Sequence, residues 1–190
     1  MRGRKIWLAT SNQNKVEEAR DVLAEFGVEL NHYPHERVEI QADDPEEIAV
    51  HSLKQLPTDE RPIAIEDAGL FLDRYSGFPG PYSSYALEKI GLDGILRLLY
   101  DLEDRGAAYH SVVALRLGGE IECFRGTVRG VISKEIRGSH GFGYDPIFIP
   151  NEGDGRTFGE MSEEEKNEIS HRARAFRALG WWLIDSKEDF

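Results

Sequence analysis

Thr10-Ser11-Asn12-Gln13-Asn14-Lys15 gathers hydroxyls, carboxamides and one ammonium directly after the apolar run Ile6-Trp7-Leu8-Ala9. Such donors at the start of a helix suit phosphate oxygens, with Lys15 as the counter-charge. The glycines of a Walker A loop are missing, and a plain strand-to-helix turn has a similar composition. A second cluster, Ile63-Ala64-Ile65-Glu66-Asp67-Ala68-Gly69-Leu70, sets two carboxylates side by side. Oxygen donors of that kind hold hard cations, Mg²⁺ or Mn²⁺, though an acidic turn reads the same way. If both residues lie on a strand they face opposite sides and do not chelate symmetrically. In Gly138-Ser139-His140-Gly141-Phe142-Gly143-Tyr144-Asp145-Pro146 the glycines let backbone approach a planar ligand on which a ring can stack; an ordinary turn is the alternative. Lys166-Asn167-Glu168-Ile169-Ser170-His171-Arg172 packs three potential cations into seven positions, as a solvated helix face also would.

Each cluster falls at an expected element end, where functional groups concentrate. Residues 5–9 read as a buried strand, and Val16, Ala19, Leu23 and Phe26 follow at helical spacing, stopped by Gly27. A second strand is expected over 28–33. Asp44-Pro45-Glu46-Glu47 opens a helix with a cap, a proline and acids in the first turn. A strand over 62–66 should end at Asp67-Ala68-Gly69, and residues 77–81 should form a loop. Helices follow over 84–90 and from Asp93 to Leu102. Gly118-Gly119 should turn a hairpin between strands 110–117 and 120–128, with a separate strand near 130–133. Ser162-x-x-Glu165 is a capping box, and Ser170 should cap the helix carrying Phe176, Leu179 and Leu183. This order of strands and helices predicts an α/β fold. With no internal repeat, low-complexity tract or linker, residues 1–190 are expected to form a single domain.

Composition narrows the function. The chain has 190 residues and a net charge of −12, from 35 acids against 23 bases. Nucleic-acid binders carry a basic surplus, so no nucleic-acid partner is expected. An acidic protein that binds polyphosphate must concentrate its cations or recruit a metal. No apolar run approaches the roughly 18 residues of a membrane span, and no membrane partner is expected. The apolar stretch near Met1 is too short for a secretory signal, and the single cysteine, Cys123, allows no internal disulfide. A reducing, cytoplasmic setting follows as the expectation.

In order and spelling the clusters resemble the inosine triphosphate pyrophosphatase family, whose members remove deaminated purines from the nucleotide pool. The resemblance runs from Leu8-Ala9-Thr10-Ser11-Asn12 through Glu66-Asp67-x-Gly69-Leu70 and Phe78-Pro79-Gly80-x-Tyr82-Ser83. It continues to Gly141-Phe142-Gly143-Tyr144-Asp145-Pro146-Ile147-Phe148, Glu165-Lys166-Asn167 and Ser170-His171-Arg172. It implies an elongated mixed β-sheet with flanking helices, two lobes around a central nucleotide cleft, and a homodimer. It also implies metal-dependent hydrolysis of ITP, dITP and XTP to the monophosphate and pyrophosphate. Thr10, Ser11, Asn12, Gln13, Asn14 and Lys15 would grip the triphosphate, with Lys54 as a further cation. Glu39 and Asp67 would hold Mg²⁺, with Mn²⁺ as a possible substitute, and Asp67 would activate water. Phe142, Gly143, Tyr144, Asp145, Lys166, His171 and Arg172 would surround the nucleoside, with Arg172 or His171 and loop N–H groups reading the 6-oxygen. Three positions depart from the family's usual pattern. Ala68 stands where serine is common and leaves only its backbone N–H for the substrate. Residues 49–54 lack the usual Glu-Asn-Ala lead-in to Lys54, and Ala173 replaces a glycine. Two rival readings are an enzyme for modified pyrimidine or methylated nucleotides, against which the Phe-Gly-Tyr-Asp loop and Ser-His-Arg argue, and a non-catalytic nucleotide-binding module.

Overall fold

A computed structural model describes residues 4–36, 40–58 and 61–186. Those residues form a mixed α/β fold. In chain order they are β1 (Arg4–Thr10), α1 (Gln13–Ala24), β2 (Val28–Pro34), α2 (Pro45–Gln55), β3 (Ile63–Leu72), β4 (Pro79–Gly80) and α3 (Ser83–Leu98). After these come β5 (Gly106–Leu117), β6 (Glu120–Ile132), β7 (Phe148–Pro150), α4 (Glu163–Ile169) and α5 (His171–Asp185). The sheet order is β2-β1-β3-β5-β6-β7, with β4 paired to β3. β1 runs parallel to both β2 and β3, whereas the β3–β4 and β6–β7 pairs are antiparallel. Among the described residues no helix is long and apolar enough to cross a membrane.

Two compact units divide the chain. The first comprises the described residues of 1–67, 111–126 and 172–190, and the second those of 68–110 and 127–171. In the first, strand alternation sends Ile6, Leu8, Ala64, Val113 and Leu115 against Val16, Ala19 and Leu23 of α1 and Phe176, Leu179 and Leu183 of α5. Their neighbours of opposite parity, Ala9, Ile63, Ile65 and Ala114, pack with Ala49 and Leu53 of α2. Helices on both faces explain why these strands read as continuous apolar runs. The second unit has its own core, in which Leu70, Leu72, Ala107, Tyr109, Val128 and Ile132 meet Ile95 and Leu99 of α3 and the rings of Phe148 and Phe158.

The helix starts follow the sequence signals. Asn12 Oδ1 accepts from the Asn14 N–H at 3.0 Å, Asp44 Oδ1 accepts from Glu46, and Ser162 and Glu165 form a reciprocal capping box. Gly118 and Gly119 turn the β5–β6 hairpin with φ of 58° and 90°, the positive values a type I′ turn requires.

Several expectations are corrected. The strand expected to stop at Asp67 continues to Leu72, because Leu70 and Phe71 pair onward with the short β4, which lies in an expected loop. The two helices expected over 84–102 are divided at Gly91, whose backbone is non-helical, but the second ends at Leu98 and not at Leu102. The strand near 130–133 is the end of β6, held by β7, which the sequence reading missed.

Candidate active site

In the first unit the chemistry centres on Glu66. On β3 it has the parity of Ala64, and Ser111 on β5 has that of Val113 and Leu115, so both point toward α1 and α5. The Glu66 carboxylate is 2% exposed. Lys15 Nζ of α1 lies 2.7 Å from its Oε2, while Oε1 accepts from Ser111 Oγ at 2.7 Å and Arg172 Nε at 3.1 Å. Arg172, on the first turn of α5, also pairs through Nη1 with Glu18 of α1. Burial alone would raise the Glu66 pKa, but the charges of Arg172 and Lys15 and the hydrogen bonds from Lys15 and Ser111 hold it far below the usual carboxylate range. Glu66 is therefore ionised, and the ion pairs around it set Glu66 and Glu18 against Lys15 and Arg172. Asp67, next on β3, is also buried, with the parity of Ile63 and Ile65 on the opposite face.

The loop before α1 is shaped by its own side chains. Thr10 Oγ1 accepts from the Asn12 N–H at 3.1 Å, Gln13 bonds Glu17, and Ser11, Gln13 and Asn14 are exposed. Lys54 is exposed on the last turn of α2. Glu39 lies outside the described residues. Among the described residues no group of three His, Cys, Asp or Glu side chains gathers to hold a metal.

In the second unit the loop after β6 is tied by Asp145. Its Oδ2 accepts from the Phe142 N–H at 2.8 Å and from Lys166 Nζ at 2.7 Å, and both charged side chains are buried. A Cβ at Gly141 would lie 2.2 Å from that oxygen, so only glycine lets the loop close on it. Lys166 Nζ also sits 4.8 Å from the centre of the Phe142 ring. The side chain of Tyr144, expected among the residues around the nucleoside, is packed in the core. Its hydroxyl donates to the Ser83 carbonyl at 2.7 Å, and burial pushes its pKa above the ordinary phenol value. Phe142 is the half-buried aromatic of the loop. His171 is buried and stacked on Tyr109, with ring centres 4.2 Å apart and planes 4° from parallel. Ala68 is half-buried on β3 in this unit.

The structure thus brings Lys15 and Arg172 together in the first unit and Phe142, Asp145 and Lys166 together in the second. Arg172, expected to face the nucleoside, has its Nε and Nη1 engaged by two carboxylates of the first unit. The sequence reading missed Glu18, Ser111 and Tyr109. Glu18 lies three residues after Lys15 and so on the same helix face, and Ser111 interrupts the apolar parity of β5; both signals were present. Tyr109 gave none, since an aromatic on a strand reads as core.

With its mixed sheet, glycine-bearing aromatic loop and buried lysine–carboxylate cluster, the chain has the form of the HAM1 proteins. A solved HAM1 protein from Coxiella burnetii superposes with a TM-score of 0.83 at 29% identity, covering 96% of this chain and 100% of that one. The sequence matches the Ham1 family over residues 6–182, and the chain belongs to that family. It is 46% identical over 184 residues to a dITP/XTP pyrophosphatase of Hyperthermus butylicus, covering 96% of each chain. A dITP/XTP pyrophosphatase of Saccharolobus solfataricus is 49% identical over 184 residues, covering 96% of this chain and 95% of that one.

Arg172→Met should leave Glu66 and Glu18 short of a buried counter-charge and lower the unfolding free energy at pH 7 by about 3–5 kcal/mol, read by urea titration in metal-free buffer. Because the folded Glu66 pKa is depressed, its contribution is complete above the unfolded carboxyl value near ~4.3 and fades as pH falls below it. Glu66→Gln should therefore flatten the acid limb of the stability profile; an unchanged slope would show that Glu66 is not the ionised centre of this cluster.

Proposed function

We propose that this chain hydrolyses the non-standard purine nucleoside triphosphates dITP, ITP and XTP to the monophosphate and pyrophosphate, with Mg²⁺ or, as a substitute, Mn²⁺. The observation that carries the reading is the division of labour on β3. Glu66 is fully engaged by Lys15, Arg172 and Ser111, and the next residue, Asp67, holds a second buried carboxylate. The names of the relatives support the substrate class, and the similarity to them spans nearly the whole chain.

The donor set fits a divalent cation on grounds of charge. In the Lys15–Arg172–Glu18–Glu66 cluster each cation is paired with a carboxylate, so Lys15 would meet a triphosphate with its charge partly offset, and Asp67 adds a further carboxylate. Mg²⁺ is ordinarily held by one or two carboxylates together with substrate phosphates, and Asp67 with Glu39 supplies that number. When bound, the cation would neutralise charge on the phosphate oxygens. Asp67 would orient the attacking water and accept its proton as oxygen bonds to the α-phosphorus and the bond to the bridging oxygen breaks. Lys15 and the N–H groups opening α1 would meet the charge that develops on the leaving pyrophosphate. Lys54 is an additional cation for the phosphates.

The second unit would recognise the base. Phe142 offers a half-buried ring for stacking, and Lys166 and Asp145 hold its loop. The Phe142 and Asp145 N–H groups are taken up inside the loop, whereas those of Gly143 and Tyr144 donate to no described residue. With His171, these two are the donors we assign to a purine 6-oxygen. Adenine would set donor against donor, at about 1–3 kcal/mol for each buried group left unpaired. The acidic charge, the homodimer and the cytoplasmic setting complete the reading, with no nucleic-acid or membrane partner.

The test is incubation with ITP, XTP, GTP and ATP plus Mg²⁺, with pyrophosphate and orthophosphate both quantified. ITP and XTP should lead, and release of the nucleoside diphosphate first would reject the reaction. Asp67→Asn should keep the fold and lower kcat by more than roughly 10³-fold, from loss of a general base and of metal charge. A drop within about tenfold would remove Asp67 from the chemistry. Chelation of divalent ions should abolish turnover and re-addition restore it; full activity in chelator would exclude the cation.

A further inference from the structure

Glu66 has no part in the reaction just described, yet it is buried and engaged by Lys15, Ser111 and Arg172. Its Oε2 faces Lys15 Nζ at 2.7 Å, and its own main-chain carbonyl lies 3.4 Å from the same ammonium. Lys15 is thereby gripped at two points by one residue. Its third N–H has no acceptor among the described residues, and its side chain is 14% exposed. The carboxylate is fixed in turn by Ser111 and Arg172 on Oε1, and Arg172 is anchored by Glu18. A metal ligand needs a lone pair facing the cation, and a general base needs one facing water. Oε1 already accepts from two donors, and Oε2, which accepts no hydrogen bond of good geometry, faces the Lys15 ammonium as an ion pair.

We infer that Glu66 is the positioning residue for the phosphate-binding lysine: it holds Lys15 in advance with one N–H directed outward, and Ser111 and Arg172 hold Glu66. This rests on the reading of Lys15 as a phosphate ligand. A free lysine side chain samples many rotamers that ligand binding must freeze. The two-point grip freezes them on folding, so binding need not. The same carboxylate also subtracts charge from Lys15, and the opposite role is therefore open to test. If charge mattered more than placement, removing Glu66 would tighten the hold on polyphosphate.

The experiment is calorimetric binding of inorganic tripolyphosphate to wild type, Lys15→Ala, Glu66→Gln and the double variant, with KM and kcat for ITP measured alongside. Lys15→Ala should weaken tripolyphosphate binding by roughly 10–150-fold, the range for a charge-assisted hydrogen bond. Glu66→Gln should weaken it about tenfold when Lys15 is present and less than about twofold when Lys15 is already alanine, the non-additivity of a contacting pair. Equal factors in the two backgrounds, or tighter binding by Glu66→Gln, overturn the positioning role. Ser111→Ala, which loosens Glu66 without removing its charge, is the second probe and decides alone if Glu66→Gln does not fold. It should weaken binding roughly threefold with Lys15 and not at all without it, and equal factors again overturn the proposal. Wild-type binding by Lys15→Ala would show instead that Lys15 is not a phosphate ligand, and the reading beneath the proposal would fall with it.

Discussion

A carboxylate taken out of water stays ionised only when enough charge and hydrogen bonding are placed around it, and in the first unit that condition falls on Glu66. Four elements meet there: β3 supplies the carboxylate, α1 the lysine, α5 the arginine and β5 the serine. None of these groups could be removed singly without leaving a buried charge or donor short of a partner. A buried ion cluster is weak evidence of stability as such, since well-packed apolar groups can do as well. What apolar packing cannot supply is direction. The ions fix how α1 and α5 are turned on the sheet, and so where the first turn of each helix puts its side chains.

The second unit solves a related problem with a single carboxylate. Asp145 ties the backbone of Phe142 to the ammonium of Lys166, and the ammonium lies over the Phe142 ring. Gly141 is required because the carboxylate occupies the space of its missing side chain. Loop, ring and cation are thus one object, formed before any ligand arrives. Below it, Tyr144 and Tyr109 join the loop and His171 to the core. In each unit a buried carboxylate, Glu66 or Asp145, is the group on which other side chains are arranged.

The sequence made the helix starts and the Gly118-Gly119 turn legible because caps and primed turns are local, decided by two to four neighbouring residues. It made the clusters legible by type and order. What it could not show was which partner each charge takes, because Glu66 and Arg172 are 106 residues apart in the chain. Alternation did separate Glu66 from Asp67 once both were on a strand. The error lay in ending that strand at Asp67, where an acid shortly before Gly69 imitates a turn, whereas the pairing partner that extends it, Pro79–Gly80, comes later in the chain in a segment that reads as loop. The direction of the Tyr144 ring was hidden for a similar reason: an aromatic beside a glycine suggests a ligand surface, and only the tertiary contact with Ser83 shows that the side chain faces inward.

Asp67 therefore lies inside a ten-residue strand and not on a turn. A loop residue that must be ordered when its ligand binds gives up about 1–2 kcal/mol of backbone conformational entropy. Within β3 that loss has already been taken during folding. A ligand that met this carboxylate would need no ordering of the backbone around it.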